Sequence, residues 1–198
     1  MKVKEVELGG VFNLDKYENV RISVRAEVEE GVGEALEQLS KLVEDLAVVQ
    51  KVIRRWKDIF EYLTREEKSL EESIKRAEEQ AVEWLMRAEK EARKHLEKLN
   101  LSLFPEEVRK KVAEDPVNVF RLGLVSTECA YLRDHEEFRK RAEKLREELK
   151  QLQSRKADAA SKYNAMRMLI KTGKIEEAAE MARDLWQLYE ELQEKHVW

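Results

Sequence analysis

The chain has 198 residues, 40% of them charged, with a net charge of -4, six Gly, two Pro and one Cys, and its mean hydropathy is -0.68. So much charge leaves little apolar material for a large compact core, and so few Gly and Pro argue against both a turn-rich β fold and a disordered chain. A single Cys excludes an internal disulfide, and the negative balance removes any global attraction to nucleic acid or anionic lipid.

Residues 2–8 and 17–29 are the only candidate strands. In the second, Val20, Ile22, Val24, Ala26 and Val28 alternate with Arg21, Ser23, Arg25 and Glu27, the pattern of a strand with one buried and one wet face. The intervening segment Gly9 to Lys16 is rich in turn residues, so a β-hairpin with a long loop is expected. A lone two-stranded ribbon is marginal in water and needs a cover.

The run Phe12 to Val24 contains Asn13-Leu14-Asp15-Lys16-Tyr17-Glu18. It resembles the opening of small uncharacterised proteins of phages and archaeal mobile elements, which carry an Asn-Leu-Gly-Asn-Tyr-Glu hairpin followed by a helix. Asp15 and Lys16 replace the Gly and Asn of that pattern. The resemblance implies a virus- or plasmid-like origin. The abundance of Glu, Lys and Arg beside few Thr, Asn and Gln also resembles the composition of hyperthermophile proteins.

From Glu34 to Leu99 an apolar heptad repeat dominates. One series is Leu39, Leu46, Ile53, Phe60, Glu67, Ile74, Ala81 and Ala88, and the other is Leu42, Val49, Trp56, Leu63, Leu70, Ala77 and Trp84. Alternating spacings of three and four form the seam of a coiled coil, which requires a partner helix. Thr64-Arg65-Glu66-Glu67 reads as a capping box, yet both series keep phase through it, so the helix is expected to continue.

Pro105 opens a short helix that should end near Asp115, and Asp115-Pro116 is a helix start. A second series then runs Leu124, Tyr131, Phe138, Leu145, Leu152, Ala159 and Met166, and is expected to end at Gly173. Two helices of roughly 100 and 85 Å joined by a short link favour an antiparallel arrangement.

The expected fold is thus mainly α with a small β-hairpin: a long antiparallel helical (coiled-coil) hairpin at 34–171, with its tip at 100–123, and a compact α+β base from 1–33 and 172–198. In the base, the apolar face of the last helix, including Leu185 and Trp186, would cover Ile22 and Val24. Leu36, Val43, Val52, Ile59, Val125, Leu132 and Leu169 widen each stripe beyond a two-helix seam. A homodimer would bury them. The last helix of the same chain is the competing cover.

Chemical motifs are scarce. His95, His135 and His196 are scattered, and Cys129 has no second thiol at metal spacing. Gly173-Lys174 lacks the remainder of a phosphate loop. Asp134-His135-Glu136 reads as a solvated helix flank, and His95 as a packed or partly exposed seam residue. No cofactor, metal or catalytic residue is assigned, and no enzyme is expected.

Two classes remain. The first is a scaffold or adaptor contacting protein partners, with candidate tip contacts Leu103, Phe104, Val119 and Phe120. The second is nucleic-acid binding by the hairpin, with candidate contacts Lys2, Lys4, Lys16, Tyr17, Arg21 and Arg25, and with Phe12 on the same face. No signal peptide or membrane-length apolar run is read, so a cytoplasmic protein without membrane contact is expected.

Overall fold

The computed structural model describes residues 5–15, 18–27, 32–126 and 129–196, with side chains for residue 33, 36–126 and 129–194. The described chain is mainly helical. Its elements are strands β1 (Glu5–Asp15) and β2 (Glu18–Glu27) and helices α1 (Val32–Leu96), α2 (Glu106–Glu114), α3 (Asn118–Arg121), α4 (Ala130–Lys171) and α5 (Ile175–His196).

The strands pair antiparallel from Glu5↔Glu27 to Asp15↔Glu18, with one irregularity between Asn13 and Asp15. Gly9 and Gly10 pair with Ser23 and Ile22, so most of the segment read from sequence as a long loop is strand. Glycine accepts extended geometry as readily as a turn, and the ladder supplies partners for its amides and carbonyls.

α1 is one helix of 65 residues. Thr64 lies inside it and does not cap: its hydroxyl donates to the Phe60 carbonyl at 2.8 Å. A threonine that bonds backwards in this way leaves the helix intact. Pairs such as Arg76 with Glu72 at 3.2 Å and Lys57 with Glu61 at 3.6 Å line its wet surface. Each is worth only about 0.3–0.5 kcal/mol, so burial must stabilise the helix.

The chain divides into a terminal unit, Met1–Glu66 with Leu152–Trp198, and a central unit, Glu67–Gln151. In the terminal unit α1 and α4 run antiparallel. Trp56 stacks on Tyr163 at 4.1 Å and 4°, and Lys156 lies 4.9 Å from the Phe60 ring. α5 packs alongside both. Its Ile175, Ala178, Ala179, Ala182, Leu185, Tyr189 and Leu192 are buried, as are Val49, Val52, Ile59 and Leu63 of α1 and Ala159, Met166 and Ile170 of α4.

Polar contacts fix the order. Lys41 and Asp45 of α1 meet Glu176 and Arg183 of α5, which makes these two helices parallel. Lys162 and Arg155 of α4 meet Asp184 and Glu191, an antiparallel pairing. Alanines at 178, 179 and 182 let α5 approach closely. Trp186 sits 5.2 Å from Tyr189, beneath the Lys51 ammonium of α1, and its Nε1 donates to Glu190. Ile22 and Val24, the strand partners suggested for this helix by sequence, fall outside the described side chains.

The turn from α4 to α5 is set by Gly173, at φ 78°. The Gly173 amide donates to Ile170 at 3.1 Å and the Lys174 amide to Leu169 at 3.0 Å, the paired bonds of a Schellman cap. A Cβ at Gly173 would meet nothing within 4 Å, so only the backbone resists substitution. Gly173→Ala is therefore expected to cost about 1 kcal/mol, measurable by urea denaturation.

In the central unit α1 and α4 are again antiparallel: Trp84 stacks on Tyr131 at 5.8 Å, and Glu78 pairs with Arg146. The second long helix is shorter than the sequence suggests, 42 residues beginning at Ala130. Asp115 closes α2 instead of capping the next helix: α3 begins only at Asn118, two residues past Pro116, although Asp115 Oδ1 still accepts the Val117 amide at 3.0 Å. α3 stops at Gly123, φ 64°, where the Gly123 and Leu124 amides donate to Phe120 and Val119. The heptad residue Leu124 thus falls in the link between α3 and α4.

Candidate functional site

The sequence offers two places to look for function, the ribbon and the region around 100–123. Of the ribbon residues, Lys2, Lys4, Lys16 and Tyr17 lie outside the described residues. Arg25 is in register with Glu7 and Arg21 with Val11, while Glu5 pairs with Glu27. Phe12 pairs with Val20. It therefore belongs to the alternate set that contains Ile22 and Val24, a correction to its grouping with Arg21 and Arg25: antiparallel register assigns both strands' residues to faces together.

The four tip candidates separate. Val119 is fully buried, and Phe120 packs on the core cluster of Ala88, Val117 and Cys129 with its ring 5.5 Å from His95, edge to face. Small Ala88 leaves the space that the phenyl group occupies. Phe104 is half-buried, and Leu103 is 78% exposed. A helical turn at Leu101–Leu103 presents it, held by Asn100 Oδ1, which accepts from the Ser102 amide and hydroxyl. Val119 and Phe120 thus close the core, whereas Leu103 is free to touch something else.

His135 differs from the solvated flank that the sequence suggests. It is half-buried, with Nδ1 2.8 Å from the Ala81 carbonyl, so the nitrogen carries its proton there and donates across the two helices. Ala81 is small enough for an imidazole to reach backbone over it. His95 is packed as expected, with Nε2 3.8 Å from Glu91. Among the described residues, no group of three or more His, Cys, Asp or Glu is placed to hold a metal ion.

A shallow groove of about 230 Å³ lies between α4 and α5, bordered by Arg155, Asp158, Lys162, Asp184 and Glu191. Lys162 bridges Asp184 at 2.9 Å and Asp158 at 3.4 Å, and Arg155 bridges Glu191. Lys162 is held above the usual lysine value chiefly by its hydrogen bond to Asp184. These groups satisfy each other.

Sequence reasoning missed the pair of Asp45 with Arg183. Asp45 is 1% exposed, the single buried charged residue among the described ones, and Arg183 reaches its Oδ1 from α5. The one signal is that Asp45 stands one heptad before Val52 and two before Ile59, in line with two apolar residues.

At the start of α5, the Lys41 hydrogen bond followed by its charge holds the Glu176 carboxyl below the usual 4.5. A depressed carboxylate stabilises the fold above its unfolded pKa, and the contribution disappears as pH falls through the lowered folded value. An NMR titration should place the Glu176 midpoint below 4.5, and Lys41→Met should return it to the ordinary value.

Among the described residues, no helix is long and apolar enough to cross a membrane. Comparison with family models, curated proteins and solved structures gives no match to this chain.

Proposed function

We propose that this chain is a non-enzymatic coiled-coil scaffold or adaptor that works as a homodimer, with an origin in a virus or plasmid of a hyperthermophile. In this reading the pairing of α1 with α4 is a coiled-coil hairpin and the N-terminal ribbon a β-hairpin. The observation that carries it is the use of the seam residues. Ile74, Ala77, Ala81 and Ala88 are spent on helix-to-helix burial, while Leu103, Val82 and Met86 are left 78%, 52% and 65% exposed. Side chains of that kind suit protein contact.

The nucleic-acid alternative draws no support from the register, which sets Glu7 beside Arg25 and Glu5 beside Glu27. Two experiments test the choice. A photo-crosslinking residue in place of Leu103 should label one defined protein in its native extract, while the same residue at the exposed charged position Glu107 labels none; equal labelling at both would remove the adaptor reading. A gel shift with single- or double-stranded DNA that weakens steeply with salt would replace it by the alternative.

A further inference from the structure

On the central unit, α1 carries one stripe in which every residue is exposed: Lys75, Glu79, Val82, Met86, Lys90, Arg93 and Glu97. At 100° per residue these positions fall within roughly 80° of arc. Helical bonding continues through the Glu97 amide, which donates to Arg93 at 3.0 Å, so Glu97 remains in line. Val82 and Met86 are 52% and 65% exposed at its middle. Two apolar residues one turn apart are uncommon on a surface otherwise filled with Glu, Lys and Arg.

The stripe is complementary to itself reversed. When a second α1 is laid antiparallel about a two-fold axis at Met86, positions equally far from 86 come level. Lys75 then meets the partner's Glu97, and Glu79 meets the partner's Arg93. Lys90 comes level with the partner's Val82, its stem against that side chain, and within one residue of the partner's Glu83 on the same flank. Each contact other than that at Met86 occurs twice by symmetry, every charge-to-charge contact joins opposite signs, and Met86 packs on the partner's Met86. Parallel alignment would instead set each charge against its own copy. Every residue of the stripe lies within the central unit.

We infer that this stripe is the homodimer surface, and that its occupant is a second copy of the same chain. The inference rests on the homodimer reading above and gives it a location. Two-fold interfaces are isologous, which demands the self-complementarity that the stripe has. With two apolar residues per copy, the contact lies at the small end of specific interfaces, below the roughly 800 Å² per partner of a standard one. Charge therefore carries much of it, and the dimer weakens with salt. The present ion pairs leave room for this: Lys75 lies 3.9 Å from Glu79 and Arg87 bonds Glu83 at 2.5 Å, with all four side chains at least half exposed, so each can still reach outward.

Sedimentation velocity of the full chain over a concentration series, at low and high salt, tests the assignment. The native chain should dimerise reversibly, and more weakly at high salt. Met86→Lys sets two ammonium groups together on the axis and should raise Kd at least about tenfold. Glu79→Arg and Arg93→Glu should each do the same, and the double variant carrying both exchanges should recover the dimer. All these positions are exposed, so unchanged helicity and melting serve as controls. A native chain that stays monomeric throughout overturns the surface together with the homodimer reading. A dimer indifferent to all the variants overturns the surface alone.

Discussion

Arg183→Ala is expected to destabilise the terminal unit by about 3 kcal/mol, more than Asp45→Asn does. The asymmetry follows from exposure. Asp45 is 1% exposed whereas the Arg183 side chain is 52% exposed. Removing the arginine strands a carboxylate in the core. Removing the carboxylate's charge frees a guanidinium that already reaches water, and leaves an amide that still accepts from it, at a cost of about 1 kcal/mol. Thermal and urea unfolding of the two variants should show this order; equal effects would mean that the pair contributes only its packing.

The second large effect is expected at Ile59. This residue is fully buried, beside Val52 in the row that carries Asp45. Ile59→Ala should cost about 3 kcal/mol through lost burial and the cavity left behind. Leu36→Ala and Val43→Ala, at residues 56% and 46% exposed, should each change stability by less than about 0.5 kcal/mol. The comparison is made on the single chain at low concentration. It separates flank residues covered by the chain's own packing from those left in water.

That contrast also marks how far periodicity could be read. The repeats identified much of the buried face: Leu39, Val49, Leu63, Ile74, Ala77, Ala81 and Ala88 are buried, as are Leu152, Ala159, Tyr163, Met166 and Ile170, whereas Phe60 and Tyr131 of the same series are each 38% exposed. The period also carried α1 through Thr64. A heptad pattern shows which face is apolar and leaves open what covers it. Val52 and Ile59 are surplus to a two-helix seam, and the terminal unit buries them because it brings α5 against α1 and α4.

Stops were harder to read than periods. Gly173 is legible because the apolar series ends beside it, whereas Gly123 lies beside Leu122, Leu124 and Val125, where the sequence pattern continues the repeat. Its positive φ is a property of the folded backbone. In the ribbon the opposite happened, as Gly9 and Gly10 advertise a turn and adopt strand pairing. The partners of Asp45 and His135 depend on tertiary placement. Their residue types gave no sign that one would meet an arginine 138 positions away and the other a carbonyl 54 positions away.

The alanines that line the seam and the inner face of α5 have a thermal consequence. Ala77, Ala81, Ala88, Ala92, Ala142, Ala159, Ala178, Ala179 and Ala182 are all buried, and each exposes far less hydrocarbon on unfolding than a leucine or phenylalanine at the same place. The heat capacity of unfolding follows the apolar area released, so it should fall below the usual 12–15 cal/mol/K or so per residue. A smaller heat capacity flattens the dependence of stability on temperature. The fold then keeps much of its stability over a wide range around its optimum, as one of the routes to a high melting temperature requires.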